Sequence, residues 1–542
     1  MKEKLFRMMV LALVGILALV SILPALAAAG DITLVSKNSS GEQGNEYSEA
    51  WSISADGRYV AFDGIASNLD SRCDNGHWHV YVHDKQLGKT RCVSISSAGV
   101  QGNDDSFLPT LSGDGRYVAF QSYASNLVED DTNGNEDIFI HDIQTGETIR
   151  ISVRGENTQM IDGHSSDPYI SASGAYVAFV STSEKLVEDD SNNLKDIFVR
   201  DLREAETICI TCTIGTKVSN GISDQPSMSA NGQLVVFQSY ASNLVSGDFN
   251  TKQDVFVHDI SKGKTALVSL ATSSEQGNGN SYFGFISNDG RYVTFSSLSD
   301  NLVDGDLNEV RDIFVRDLIE KTTTRVSISS DQEEADDHSH WSSISSDGRF
   351  VAFASAATNL DPVDNDEMSD IFLHDRVTGE TTLISLALDG RSGNGHSWWP
   401  KISADGCFVA FSSEADDLVP DDQHGFQDAF VWSNSACGPP TITSNGSTTF
   451  TIGSMGSFNV ETEGFPIPVI AYTGSLPDGV TLVDEADGTA LLSGIPSPGS
   501  AGEYILEITA DNGFLPNATQ NFTLTVKEEF EETSIFLPLV IR

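Results

Sequence analysis

The sequence predicts an all-β protein: a ring of seven small antiparallel sheets followed by a separate β-sandwich. Three observations predict it. The motif SADGRYVAF, Ser54 to Phe62, recurs at a fixed spacing; each recurring unit reads as four short strands; and after residue 438 the chain changes to alternating runs broken by Gly, Pro, Asp and Asn.

Taken in order, residues 1–29 join a basic start (Lys2, Lys4, Arg7) to an apolar run and the small residues Ala25, Ala27, Ala28 and Ala29. This is the pattern of a secretory signal peptide, cleaved after Ala27 or Ala29 to leave a mature chain beginning near Gly30. The competing reading is an uncleaved anchor, because the apolar run is near the lower length limit of a span. No later segment is long enough, so the mature chain is expected to have no transmembrane span and to be extracytoplasmic, either secreted or held at the cell surface. The full sequence sets 31 Lys and Arg against 78 Asp and Glu, a net charge of −47 that becomes two units more negative without the signal segment. Such a charge opposes binding to a phosphate backbone, so no nucleic-acid partner is expected.

The repeated motif ends at Phe62, Phe120, Phe179, Phe237, Phe295, Phe353 and Phe411, which gives seven units of 58 or 59 residues. In each, a first strand (Ile53 to Ala55 at its end) leads through a DG or NG hairpin turn, SG in the third unit, into a second strand such as Arg58 to Phe62. A loop of about fifteen residues then precedes the third strand (DIFIHD, Asp137 to Asp142). A turn of the QTGET type follows, in which Gly146 supplies positive φ, and then the fourth strand. Four-stranded units repeated around an axis make a β-propeller. The last unit lacks a fourth strand, whereas Ile32 to Asn45 matches the fourth-strand segment Ala266 to Asn278. The N-terminal strand is therefore expected to complete the seventh blade and cover an open edge.

The S-x-DGRYVAF, DIFVHD and TGET grammar resembles the WD40-like (PD40) repeats of the TolB-type propeller family, over about Asp31 to Ser433. The resemblance implies the fold. It implies no single activity, because that family includes scaffolds, binding proteins and propellers attached to hydrolases. The later segment, with GFPIPVIAYTGSLPDGVTL and SAGEYILEITADNG, resembles the immunoglobulin-like domains of bacterial surface proteins, which implies a sandwich acting as spacer or adhesive module. The expected organisation is a signal peptide at 1–29, a seven-bladed propeller at 31–433, a linker at 434–438, an immunoglobulin-like sandwich at 439–527 and a tail at 528–542. The tail is an address or a final docked strand.

Six cysteines in an exported chain allow disulfides. Cys407 opens the second strand of the last unit and Cys437 follows its third, so the two are expected to be joined. Cys73 with Cys92 is a second pairing. Cys209 and Cys212 suit adjacent burial or a local disulfide better than redox chemistry.

Strand order sends the fourth-to-first and second-to-third connections to one face, the top. One serine recurs in every fourth-to-first connection (Ser48, Ser106, Ser165, Ser223, Ser281, Ser339 and Ser397) and is expected to bond local backbone. Beside these serines lie Tyr47, Trp51, Phe107, Tyr282, His338, His340, Trp341, His396, Trp398 and Trp399, with Phe283 among them. Aromatic and polar groups round a funnel mouth suit a small polar ligand, a glycan or a peptide, against the alternative of packing between neighbouring loops. No G-x-S-x-G elbow, H-E-x-x-H, P-loop or zinc-spaced cysteine pair occurs, so no catalytic residue is assigned.

The second-to-third loops repeat a D-x-[DN]-x-x-x-D spacing in five units: Asp131, Asn133, Asn135 and Asp137; Asp190, Asn192 and Asp196; Asp248, Asn250 and Asp254; Asp306, Asn308 and Asp312; and Asp364, Asp366 and Asp370. Calcium takes six to eight such oxygens, and the sequence favours the second unit as its site. The structural alternative is an Asx-turn with the last Asp capping the strand. Calcium is the one cofactor these residues raise. The favoured function is a secreted or cell-surface binding or scaffold protein that presents its top face to a glycan, peptide or protein ligand. The alternatives are an extracellular hydrolase or lyase acting from the funnel, and a TolB-like envelope partner docking proteins at the channel mouth.

Overall fold

The computed structural model describes residues 30–528 apart from 156, 157, 160, 161, 189, 215, 216 and 421. The expected signal peptide and all but the first residue of the expected tail lie outside the described residues. Among the described residues no helix is long and apolar enough to cross a membrane.

Between Asp31 and Ser433 run seven four-stranded antiparallel sheets. In the first, Ser48–Ile53, Tyr59–Gly64, His79–Asp84 and Lys89–Cys92 pair in chain order, and the next five repeat that order. In the seventh, Ser397–Ile402, Phe408–Ser413 and Asp428–Ser433 are completed by Asp31–Leu34, in register from Asp31 with Ser433 to Leu34 with Phe430. The first strand of each sheet packs on the first strand of the next, and Ser397–Ile402 packs back on Ser48–Ile53. First strands gathered round an axis with the other strands outside them make a β-propeller. Two hairpins, Val153–Arg154 with Thr158–Gln159 and Thr213–Ile214 with Lys217–Val218, add to the four-strand pattern.

Each residue of the repeated motif has a physical task. In the first turn Ser54 Oγ donates to Asp56 Oδ1 (2.6 Å), which also accepts the Arg58 amide (3.0 Å). Arg58 then pairs with Asp84 at the far end of the third strand (2.8 Å), as Arg116 does with Asp142 (2.6 Å). The turn glycine is required twice over. Gly115 has φ +69°, and a Cβ on it would come within 2.2 Å of the Tyr59 ring of the preceding sheet. Gly57 approaches Phe408 of the seventh sheet in the same way. Inside every sheet an aromatic pair on the second and third strands stacks, from Phe62 on Tyr81 (5.5 Å) to Phe411 on Phe430 (5.8 Å), all buried. Burying a large side chain is worth roughly 1.5–3 kcal/mol.

Residues 441–527 form a sandwich of two four-stranded sheets, with Val460, Leu492, Leu506, Ile508 and Phe522 in its core. The sandwich docks on the turn-bearing bottom of the propeller. Phe465 packs edge-on against Phe350 (5.4 Å) beneath Arg349, and Phe514 lies over Phe408 (6.3 Å). Disulfides join Cys407 to Cys437 beside this junction, Cys73 to Cys92, and Cys209 to Cys212.

Candidate functional site: the axial channel

The first strands surround a cavity of about 390 Å³ on the propeller axis. Their local geometry decides which side chains enter it. In six of them the register with the second strand shifts, and the residue at the bulge takes a left-handed conformation with φ between +50° and +54°: Leu108, Asp167, Gln225, Phe283, Trp341 and Trp399. Non-glycine residues adopt this region only when the surroundings hold them there. The preceding sheet supplies part of that hold, since Asp63 Oδ2 accepts the Leu108 amide (2.9 Å), Gln121 Oε1 that of Asp167 (2.9 Å), and Gln238 Oε1 that of Phe283 (2.8 Å). The first strand has a shorter shift, between Ala50 and Ser52, which leaves Trp51 in the channel wall.

The result is a channel with two unlike sides. Trp51 stacks on Trp399 (4.9 Å), Trp399 contacts Trp341 (5.7 Å), and Trp341 contacts Phe283 (6.4 Å), an aromatic arc over the first, seventh, sixth and fifth sheets. The second, third and fourth sheets contribute Leu108, Asp167 and Gln225 instead. Burial raises the Asp167 carboxyl above its ordinary range. Two residues further along the strand from Trp399, about 7 Å deeper at the rise of an extended chain, is Lys401. Its ammonium lies 4.7 Å from the centre of the Phe285 ring, and burial, with no charged neighbour among the described residues acting on it, lowers it to about 8. The channel floor is drawn together by backbone bonds between successive turns, among them Ala55 N to Gly113 O (2.9 Å), Gly113 N to Ala172 O (2.9 Å) and, across the closure, Ala404 N to Ala55 O (3.1 Å).

Of the aromatic and histidine candidates, Trp51, Phe283, Trp341 and Trp399 line the channel. The others brace the rim. Tyr47 packs on Phe426 (5.0 Å), Phe107 on Trp78 (5.8 Å) and Trp398 on His396 (5.5 Å), while Arg311 lies over Tyr282 (5.0 Å). His338 and His396 accept the Arg311 and Ser369 amides (2.8 and 2.9 Å), and His340, against Trp341 (4.1 Å), is pushed down to about 4 by burial. Against the expectation of a bond to local backbone, the recurrent serine's hydroxyl pairs with a second-strand serine in six sheets, as Ser106 does with Ser122 (2.8 Å), and Ser48 Oγ is buried without a partner among the described residues. Lys401, Asp167 and Gln225 escaped the sequence reading. A signal was present for Lys401: its position holds Ser52, Thr110, Tyr169, Ser227, Phe285 and Ser343 in the other units, and a lysine only here.

The acidic loops share a buried last aspartate that accepts a hydroxyl two residues past the fourth strand, as Asp137 does from Ser152 (2.6 Å) and Asp196 from Thr211 (2.6 Å). Their middle residue closes an Asx-turn, Asn250 Oδ1 accepting the Lys252 amide (2.8 Å). What else faces the carboxylates differs between loops. In the second, Arg150 lies 3.5 Å from Asp131 and 3.8 Å from Asp137, and Gln159 donates to Asp131 (2.8 Å), while Asn133 donates to Asp137 (3.0 Å) and Asn135 donates its amide to Asn133 (2.9 Å). In the fifth, Arg325 lies 3.2 Å from Asp306 and 3.5 Å from Asp312, and Asn308 donates to Asp312 (3.0 Å). In the fourth, Gln276 donates to Asp248 (2.9 Å) and Asp254 (3.0 Å). In the third, Asp190 and Asp196 flank Asn192, which caps the Leu194 amide (2.8 Å).

No family model matches the chain. No curated protein matches it in sequence. Among solved structures it is similar to a protein described as TolB from Agrobacterium tumefaciens, at 14% identity over 64% of this chain and 94% of the other, with a TM-score of 0.34. It is also similar to a prolyl endopeptidase, at 10% identity over 89% of this chain and 61% of the other (TM-score 0.43). A third is the GH74 xyloglucanase of Xanthomonas campestris, at 9% identity over 87% and 72% (TM-score 0.34). Likenesses at these TM-scores carry no argument about function, and the propeller assignment rests on sheet order and register.

Proposed function

We propose that this chain is a secreted or surface-held binding protein whose seven sheets are the seven blades of one propeller, and whose axial channel takes a carbohydrate bearing a carboxylate or sulfate. The observation that carries this reading is the channel itself: an aromatic arc from Trp51 through Trp399 and Trp341 to Phe283, faced by Asp167 and Gln225, with Lys401 beneath. The apolar face of a sugar ring fits an indole surface, carboxylate and amide groups suit hydroxyls, and an ammonium without a counter-ion suits an anionic substituent. Ligand pockets have this composition, mostly apolar walls with a few placed polar groups. The immunoglobulin-like sandwich docks on the opposite face and serves as a spacer that leaves the mouth open.

Calorimetry with uronic-acid oligosaccharides, their neutral counterparts and acidic peptides tests the reading. Binding of the acidic sugars, lost in Trp399→Ala, supports it. Peptide binding alone would replace the ligand class, and release of cleaved sugar would move the chain to the hydrolase or lyase alternative.

A further inference from the structure

We propose that the sixth sheet carries a single divalent-cation site, selective for calcium, formed by Asp364, Asp366 and Asp370. One carboxylate oxygen from each lies within 4.8 Å of the other two. Asp364 and Asp370 are 5% and 0% exposed, and each keeps an Oδ2 that is buried without a hydrogen-bond partner. Their other contacts are ordinary: Asp370 Oδ1 accepts from Ser385 (2.6 Å), Asp364 Oδ1 from the Asp366 amide (3.4 Å), and Asp366 from the Met368 amide (2.9 Å) and Ser392 Oγ (3.0 Å).

What distinguishes this loop is three clustered carboxylates with no arginine or glutamine facing them; the third sheet's loop lacks those partners too, with Cys209 at the arginine register and Asp196 Oδ2 unpartnered, but has Asn192 in place of the middle carboxylate. In the second and fifth sheets an arginine of the fourth strand, Arg150 or Arg325, faces the aspartates, and Leu383 stands at that register here. In the second, fourth and seventh sheets a glutamine amide bridges towards them from Gln159, Gln276 or Gln43. Ser392 occupies the matching bridge position, and its hydroxyl reaches only Asp366. The charged groups acting on Asp364 and Asp370 are all carboxylates. Buried like charges without a compensating cation or donor are strongly unfavourable. A cation with irregular oxygen coordination removes that penalty, its remaining positions being filled by carbonyls and water.

The experiment uses the full mature chain after chelator treatment. Calorimetry with calcium chloride is expected to show one strong site, a melting temperature several degrees higher on saturation, and magnesium binding at least about tenfold weaker. Asp364→Asn and Asp370→Asn should each weaken calcium binding by at least about tenfold. Because those variants remove buried charge and could disturb the fold, the deciding variant is Ser392→Gln. It installs the amide that three other sheets use, so it should fold, melt higher than wild type without calcium, and lose the calcium response. No calcium signal in the wild type, or an undiminished one in a folded Ser392→Gln protein, would overturn the proposal. Calcium binding that persists in Ser392→Gln but disappears on Asp131→Asn would return the site to the second sheet and overturn it equally.

Discussion

Ser36 Oγ donates a 2.6 Å hydrogen bond to Asp428 Oδ1 across 392 residues of chain, both groups buried. It is the bond that Ser152 makes to Asp137 inside the second sheet (2.6 Å), made here between the two ends of the ring. Gln43 adds a second tie to Asp428 (2.7 Å). Ser36→Ala leaves a buried carboxylate oxygen unpaired, at a cost of about 1–3 kcal/mol. Deleting residues 31–37 should cost far more, because it unpairs the whole edge of Asp428–Ser433. Differential scanning calorimetry should rank wild type, Ser36→Ala and the deletion in falling melting temperature; equal melts would show that the closure does not hold the ring.

The Cys407–Cys437 bond closes a separation of 30 residues where the chain leaves the propeller. Replacing Cys437 by Ser should cost about 3 kcal/mol on the loop-entropy account. It should also speed proteolysis between the third strand of the seventh sheet and the sandwich, which mass spectrometry of timed digests would locate. Unchanged cleavage would mean that the Phe465 and Phe514 contacts suffice to hold the junction.

Lys401 ties stability to binding. It is half-buried with no counter-charge among the described residues, and its lowered value near 8 means that the folded protein prefers the neutral form more than the unfolded chain does. Lys401→Met should therefore raise the stability of the ligand-free protein at pH 7, by on the order of 1 kcal/mol after allowing for the open channel, while abolishing binding of anionic sugars. Wild-type binding should weaken as the pH rises through 8. A destabilised Lys401→Met, or one that retains affinity, would remove the lysine from this role.

Glu49 is raised to about 7 by burial, and Asp63 well above its ordinary value by burial and then by Glu49. Folded carboxyls with raised values bind more protons than unfolded ones above about pH 4, so their contribution to stability grows as pH falls through 7 and is lost as it rises. Buried His83, His141 and His374, lowered to about 4, act in the opposite sense, stabilising above pH 6.5 and destabilising below. The informative quantity is therefore a difference. Asp63→Asn keeps an acceptor for the Leu108 amide, the role an amide plays in Gln121, and should gain stability over wild type at pH 8 but not at pH 5. A pH-independent difference would assign Asp63 a packing role only.

The all-β propeller was legible in the sequence because its signals are short-range. The Asp56-Gly57 turn, the alternation from Tyr59 to Phe62 and the aspartate that opens six of the seven third strands depend on neighbours within a few residues, and repetition made each signal visible several times. The channel was legible only in part. Trp51, Phe283, Trp341 and Trp399 were named from their place beside the recurrent serine, but so were Phe107 and Trp398, which pack on the rim. In six of these strands the inward side chain belongs to a left-handed bulge residue, and strand alternation does not foresee that turn.

The sequence by itself determined the number of units, the turn chemistry and the acidic spacing, since these follow from local backbone preference and period. Tertiary structure alone decided which acidic loops lack a neutralising partner and which channel side chain is buried away from other charges. Arg150, Gln276 and Ser392 reach the aspartates from another strand or connection, and the emptiness of charge around Lys401 is a property of all seven first strands together. Electrostatic energy depends on distance in space and on exclusion from water, and neither is written in the order of residues.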